Sequence, residues 1–137
     1  MPLKPINLKQ RLQKVKQDTE KAFNFARYDL KKRWPAAEPI IMKDPSLAVQ
    51  YAKHVIKKPW PEAEKHIKKD GWACYIYASE VLKKPWPEAE KAMLRAGSYI
   101  AYEYARNVLK RRWIEAEPTI MKTERLWNLY KKHFKIK

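Results

Sequence analysis

The chain has 137 residues, 45% of them hydrophobic and 34% charged, and its 31 Lys and Arg against 15 Asp and Glu produce a formal net charge of +16. This composition excludes a disordered chain, a disulfide-stapled domain and a membrane span, because apolar residues are plentiful, cysteine occurs once and no apolar run reaches about 18 residues. The positive charge favours polyanionic partners, nucleic acid first among them.

The first predicted element is a basic amphipathic helix over Asn7–Lys21. Leu8, Leu12 and Val15 recur at helical spacing and form its apolar stripe. Four basic residues flank the stripe: Lys9, Arg11, Lys14 and Lys16. We interpret residues 1–17 as a helix that caps the units that follow, or as an arm that binds nucleic acid or an acidic surface. Residues 18–137 are predicted to form one compact array of repeats.

A phrase that opens with tryptophan recurs through the array. Trp34, Trp60, Trp86 and Trp113 are spaced by 26, 26 and 27 residues, and they open WPAAE, WPEAE, WPEAE and WIEAE. The residues before them align without gaps, as QYAKHVIKKPW (50–60), IYASEVLKKPW (76–86) and EYARNVLKRRW (103–113). A fixed period of about 26 residues indicates repeated supersecondary units.

Each unit is predicted to hold two short helices. In the longer one, an apolar stripe recurs at the helical period, as in Ala48, Tyr51, Ala52, Val55 and Ile56. Asp18, Asp44 and Asp70 stand at its N-cap position. The shorter helix begins at the Trp-Pro pair, because proline is favoured at the first helical position. Helices this short are stable only when stacked, so we predict an all-α chain that forms a right-handed α-solenoid of helix pairs.

The repeated phrases resemble those of a helical-repeat family. WPEAE, EPIIMKDP (38–45), YAKHVIKKPWPEAE (51–64) and YARNVLKRRWIEAEPTIMK (104–122) are similar to tandem repeats carried by proteins of tailed bacteriophages, over residues 18 to 135. The resemblance implies a helical-repeat fold and a phage origin. Together with the solitary cysteine, it leads us to expect the host cytoplasm, or packaging within the virion, as the location.

No constellation of catalytic residues is evident. Catalysis requires a base near a nucleophile, or paired carboxylates with separated pKa values. His54, His66 and His133 are far apart in sequence, and Cys74 aligns with Ala48 and Ala101, which predicts a small buried residue. We therefore expect no catalytic residue, no metal, no cofactor and no small-molecule substrate, and we interpret the repeated glutamates as first-turn partners of the helix dipole and as mates for Lys and Arg.

The aromatic residues divide into two sets. One set recurs with the stripe and is predicted to form the core: Trp34, Trp60, Trp86, Trp113, Tyr51, Tyr77, Tyr104 and Tyr130. The other set falls off the stripe and is expected either to be exposed or to pack between units: Tyr28, Tyr75, Tyr99 and Tyr102.

A basic cluster precedes each repeated tryptophan. Cluster 1 is Lys31, Lys32 and Arg33; cluster 2 is Lys57 and Lys58; cluster 3 is Lys83 and Lys84; cluster 4 is Lys110, Arg111 and Arg112. Stacked units would bring these clusters to one edge, where they would neutralise DNA or RNA phosphates without reading sequence. The alternative is that these side chains complement helix C-terminal dipoles.

These patterns predict a non-enzymatic nucleic-acid-binding protein. The alternative function is a protein-interaction module that docks on an acidic host or virion protein, a ribosome-associated or host-takeover factor included.

Overall fold

The computed structural model describes residues 17–137, and this part of the chain is entirely helical, without a strand. The prediction of an all-α protein is therefore confirmed for these residues. Of the predicted N-terminal helix, residues 17–21 lie within a helix that continues to residue 24, and the remainder lies outside the described residues.

Four long helices share one form, in which an α-helix ends in a π-helical turn. The first is α1 (17–24) with π1 (Phe25–Leu30); the second is α3 (Pro45–Tyr51) with π2 (Ala52–Ile56); the third is α5 (Gly71–Ile76) with π3 (Tyr77–Leu82); the fourth is α7 (Ser98–Tyr104) with π4 (Ala105–Leu109). A final helix, α9 (Glu124–His133), follows the fourth unit.

Short helices alternate with the long ones. They are α2 (Glu38–Ile41), α4 (Pro61–Ile67), α6 (Glu90–Ala96) and α8 (Glu117–Ile120). The predicted start at the Trp-Pro pair is confirmed for α4, whereas 3-10 turns at Pro87–Ala89 and Ile114–Ala116 precede α6 and α8.

Two of the three predicted aspartate caps are confirmed. The Asp44 carboxylate accepts a hydrogen bond from the Leu47 N–H at 3.1 Å, and Asp70 accepts one from Ala73 at 2.9 Å. The prediction for Asp18 was wrong, because the helix already includes residue 17 and Asp18 therefore lies inside it.

Neighbouring helices pack in chain order. α3 contacts α4 and α5, α5 contacts α6 and α7, and α7 contacts α8 and α9, with Cα atoms within 8 Å. Gly71 permits the approach of α5 to α6, since a Cβ atom there would lie 2.4 Å from the Ala96 Cβ. Each of the turns π1, π2 and π3 also contacts the next π turn along the chain. The C-terminal ends of successive long helices are therefore neighbours.

A hydrogen-bonded network recurs at each junction between a short helix and the next long helix. The backbone N–H of the repeated tryptophan donates to a buried tyrosine hydroxyl 17 or 18 residues later, at 2.8 to 2.9 Å. The hydroxyl donates to the glutamate that ends the tryptophan phrase, at 2.6 to 2.8 Å. We call this the Trp–Tyr–Glu network; its members are Trp34–Tyr51–Glu38, Trp60–Tyr77–Glu64, Trp86–Tyr104–Glu90 and Trp113–Tyr130–Glu117.

The network explains why the phrase repeats. The four tyrosine side chains are completely buried, and a buried polar group destabilises the fold unless it is hydrogen-bonded. Each hydroxyl has both a donor and an acceptor partner, so tyrosine and glutamate must recur together. The donor is a backbone N–H, and the tryptophan rings of Trp60, Trp86 and Trp113 instead pack on the rings of Tyr51, Tyr77 and Tyr104, with centroids 4.9 to 5.1 Å apart. The prediction that these tyrosines are core residues is confirmed. It also holds for Trp60, Trp86 and Trp113, whereas Trp34 in the first unit is only partly buried.

We predict that alkaline pH unfolds the protein through these tyrosines. Burial raises the pKa of Tyr51 and Tyr130 to about 12, and it raises the pKa of Tyr77 and Tyr104 as well. The unfolded chain releases these protons near pH 10. The stabilisation present below pH 10 should therefore fall as the pH rises toward 12, by about 1.4 kcal/mol per pH unit for each tyrosine.

Urea unfolding at a series of pH values, followed by far-UV circular dichroism, checks this prediction. Tyr130→Phe has one titrating hydroxyl fewer, so its free energy of unfolding should fall less steeply above pH 10. Equal slopes for wild type and variant would contradict the assignment to tyrosine.

Candidate nucleic-acid interface

Each basic cluster begins where a π turn ends. Lys31, Lys57, Lys83 and Lys110 close the four long helices with left-handed backbones, at φ values of 55°, 61°, 56° and 56°. The Lys57 N–H donates to the Ala52 carbonyl at 2.7 Å, and Lys110 donates to Ala105 at 2.8 Å, in the i to i−5 pattern of the π turn.

The left-handed lysines are strained. Glycine is the usual residue at such a position, and a left-handed backbone costs a residue with a Cβ atom about 1–2 kcal/mol. The same strain recurs at all four helix ends, although the chain uses glycine elsewhere, and Lys135 after α9, outside the clusters, also has a left-handed backbone, at a φ of 57°. Strain of this kind concentrates at functional sites. A lysine here also complements the helix dipole, by about 0.3–1 kcal/mol, which does not exceed the strain.

Two predicted site residues are occupied by partners within the chain. Arg33 donates two hydrogen bonds to the Glu38 carboxylate, both at 2.9 Å, and Arg112 donates two to Glu117, at 2.8 and 2.7 Å. These guanidinium groups hold the pKa of Glu38 and of Glu117 below its ordinary value. Both glutamates are buried, so each arginine neutralises a carboxylate that also serves the Trp–Tyr–Glu network.

Proline replaces arginine in the two middle units. Pro59 and Pro85 stand where Arg33 and Arg112 stand in the outer units, one residue before the tryptophan. There Glu64 and Glu90 are only partly buried and accept the tyrosine hydroxyl without an arginine partner. The arginine thus accompanies the more deeply buried carboxylate.

Eight cationic side chains of the clusters remain. All are exposed, and within residues 17–137 none forms an ion pair with a carboxylate. We call them the basic edge; its members are Lys31, Lys32, Lys57, Lys58, Lys83, Lys84, Lys110 and Arg111. The predicted residues Lys9, Arg11, Lys14 and Lys16 lie outside the described part of the chain.

Members of two clusters meet in one cleft. Lys83 and Lys84 of cluster 3 and Lys110 of cluster 4 line a cleft of about 260 Å³ between π3 and π4. Lys84 also lines a larger cleft of about 670 Å³, whose charged lining is mixed, since it includes Glu64 and Glu88.

The off-stripe aromatics divide evenly between surface and interior. Tyr28 and Tyr99 are exposed, whereas Tyr75 and Tyr102 are 7% and 5% exposed, so the first of the two expectations holds for Tyr28 and Tyr99 only. Tyr75 packs between units instead, because its hydroxyl accepts a hydrogen bond from the Asn107 amide of π4 at 2.9 Å.

Two exposed aromatic residues, Phe25 and Trp72, were not predicted, and Phe25 is 40% exposed. Trp72 in the first turn of α5 is 47% exposed, and its ring stacks on that of Tyr99, with centroids 6.2 Å apart. The aligned positions hold Ser46, Tyr99 and Arg125, so the aromatic Tyr99 at the same place in the next unit was one available clue. The place of Trp72 just after the Asp70 cap, away from the apolar stripe, was another.

The groups most often used in catalysis are separated. Cys74 is completely buried and donates to the Ile67 carbonyl at 3.3 Å; burial raises the pKa of its thiol to about 12. Among residues 17–137, no three His, Cys, Asp or Glu side chains are grouped to hold a metal ion, and no helix is long and apolar enough to cross a bilayer.

Comparisons of the chain with protein families, with characterised proteins and with solved structures find no match. The function of the candidate site therefore has to follow from its own geometry and charge.

Proposed function

We propose that this chain is a non-enzymatic protein that binds the phosphate backbone of DNA or structured RNA along the basic edge. The observation that supports this most is the set of eight exposed cations without acidic partners, which follow helix ends that contact one another. Cations grouped in this way attract polyanions and release condensed counterions on binding.

The arrangement of the units is part of the proposal. We infer that the helix pairs form a right-handed α-solenoid with a period of about 26 residues, so that like positions of each unit follow one edge. The recurring Trp–Tyr–Glu network supports this inference, because it joins each short helix to the next long helix by the same contacts.

Strain at the basic edge favours a ligand over charge compensation alone. Glycine would end the same helices without steric cost. A role limited to the helix dipole would not outweigh the strain, whereas a phosphate contact supplies a reason to keep the lysine.

A salt titration tests the proposal. Affinity of the full chain for a 20-base-pair duplex, measured by fluorescence anisotropy, should fall about 10³-fold or more between 50 and 200 mM NaCl, if six to eight phosphates are contacted. A second duplex of scrambled sequence should bind equally, because backbone contacts carry no base information. Absence of binding at 50 mM NaCl would overturn the proposal.

A second candidate function is docking on an acidic host or virion protein. The exposed stacked pair Trp72 and Tyr99 favours it, because aromatic residues are enriched at protein interfaces. The titration separates the two candidates, since a purified duplex is the sole ligand present.

A further inference from the structure

The cleft between π3 and π4 differs from the rest of the basic edge in what lines it. Its polar lining residues are Lys83, Lys84, Lys110, Ser79 and Asn107. The remaining lining residues are Ala78, Pro85 and Val108, so no acidic residue lines the cleft.

The neighbouring step of the repeat shows what the cleft lacks. Ser79 aligns with Lys53 of π2, and Asn107 aligns with Glu80 of π3. Between π2 and π3, Lys53 and Glu80 form an ion pair with a distance of 2.9 Å between Nζ and Oε2. An ion pair therefore bridges π2 and π3, whereas the neutral residues Ser79 and Asn107 at the aligned positions leave the space between π3 and π4 open.

The amide of Asn107 is held in place by two hydrogen bonds. Its Nδ2 donates to the Tyr75 hydroxyl at 2.9 Å and to the Glu103 carboxylate at 2.7 Å. Glu103 does not line the cleft, and its carboxylate accepts this amide. Three lysines therefore line the cleft, and no acidic residue lines it with them.

We propose that this cleft is a binding site for one phosphate group, and that in the proposed function it anchors a phosphate of the polynucleotide backbone. Its volume of about 260 Å³ is below the range of about 300–1,000 Å³ found for clefts that hold drug-sized ligands. Lysine side chains with a hydroxyl neighbour match the charge and the hydrogen-bonding capacity of a phosphate, whereas both N–H groups of the Asn107 amide are already donated within the protein.

Titration of the full chain with inorganic phosphate, followed by ¹⁵N NMR, tests the cleft directly. Saturable shifts should be largest at Ser79, Asn107 and Lys110 and small at the corresponding residues Lys53 and Glu80. Duplex DNA should then displace the phosphate, which identifies the backbone as its source. Phosphate that binds in the cleft and resists displacement would identify a free anion as the source. Equal shifts at both steps would overturn the proposal.

Variants make the test sharper. Asn107→Glu restores the residue of the earlier step and should weaken phosphate binding at least tenfold, because it sets a carboxylate among the lysines. Asn128→Glu is the matched control: it makes the same change at an exposed position on α9 and should alter binding less than about twofold. Ser79→Asp tests the opposite wall, should Asn107→Glu disturb the fold.

The reciprocal exchange is a gain-of-function test. Lys53→Ser combined with Glu80→Asn removes the ion pair between π2 and π3 and should create a second set of saturable shifts there. No new shifts would contradict the assignment of the open cleft to these two positions.

The two proposals fail separately. If duplex affinity is steeply salt-dependent but Asn107→Glu and Asn128→Glu have equal effects, the phosphate cleft is wrong and the basic edge stands. If phosphate saturates the cleft but duplex does not bind at low salt, the cleft stands and nucleic-acid binding is wrong.

Discussion

Removal of the eight charges of the basic edge should lower duplex affinity at least 10³-fold at 100 mM NaCl, because a phosphate that is no longer neutralised keeps its condensed counterion. The left-handed positions Lys31, Lys57, Lys83 and Lys110 are best replaced by glycine, and the remaining four residues by glutamine. Glycine relieves the left-handed strain at these positions, so we expect the variant to fold. A loss of binding would then report the removal of charge.

A variant of equal net charge is the control. It replaces eight exposed basic residues outside the clusters with glutamine: Lys43, Lys65, Lys69, Lys91, Arg95, Lys122, Arg125 and Lys132. If affinity depends on the position of the charges, this variant should lose much less affinity, and its slope of log K against log salt should stay near that of the wild type. An equal loss in both variants would show that net charge alone governs binding and would reject the basic edge.

Tyr77→Phe should destabilise the fold by about 1–3 kcal/mol, because it leaves a buried donor without its acceptor. The backbone N–H of Trp60 donates to the Tyr77 hydroxyl at 2.9 Å, and the hydroxyl donates to the Glu64 carboxylate at 2.6 Å. Trp60 is 1% exposed, so water cannot readily replace the missing hydroxyl. Urea unfolding monitored by circular dichroism measures the effect.

Tyr99→Phe is the matched control for that variant. Tyr99 is 52% exposed, so removal of its hydroxyl should change the free energy of unfolding by less than about 0.5 kcal/mol. Glu64→Gln retains an oxygen acceptor for Tyr77 and should cost less than Tyr77→Phe. A Tyr77→Phe protein as stable as Tyr99→Phe would show that the network does not support the fold.

The network also links stability to the candidate site. Arg33 and Arg112 of clusters 1 and 4 are hydrogen-bonded to Glu38 and Glu117. These two arginines therefore support the network, whereas the other members of their clusters stay exposed and form no ion pair within the described residues. Pro59 and Pro85 stand at the same position in the two middle units, which indicates that a positive charge is not required at the residue before the tryptophan. Two exposed basic residues stand just before this position in every unit, Lys110 and Arg111 in the fourth and two lysines in each of the others.

The sequence by itself determined the helical units, because its signals are local. The apolar stripe through Tyr51 and Tyr77 and the caps at Asp44 and Asp70 act within a few residues. The repeat of the tryptophan phrase then shows that the same local signals recur from unit to unit. The clusters before each tryptophan were also evident from spacing alone. The N-cap prediction for Asp18 was wrong because the sequence around an aspartate does not show whether the helix begins at that residue or before it.

Only the tertiary structure decided which side chains pair and which stay free. The tyrosine hydroxyls accept from the backbone N–H of a tryptophan 17 or 18 residues earlier in the chain. The Tyr75 hydroxyl accepts from the amide of Asn107, 32 residues away. The open cleft beside Lys110 likewise depends on Ser79 and Asn107 meeting across two helices. Such contacts arise when separate units come together, and a pattern read within one unit does not contain them.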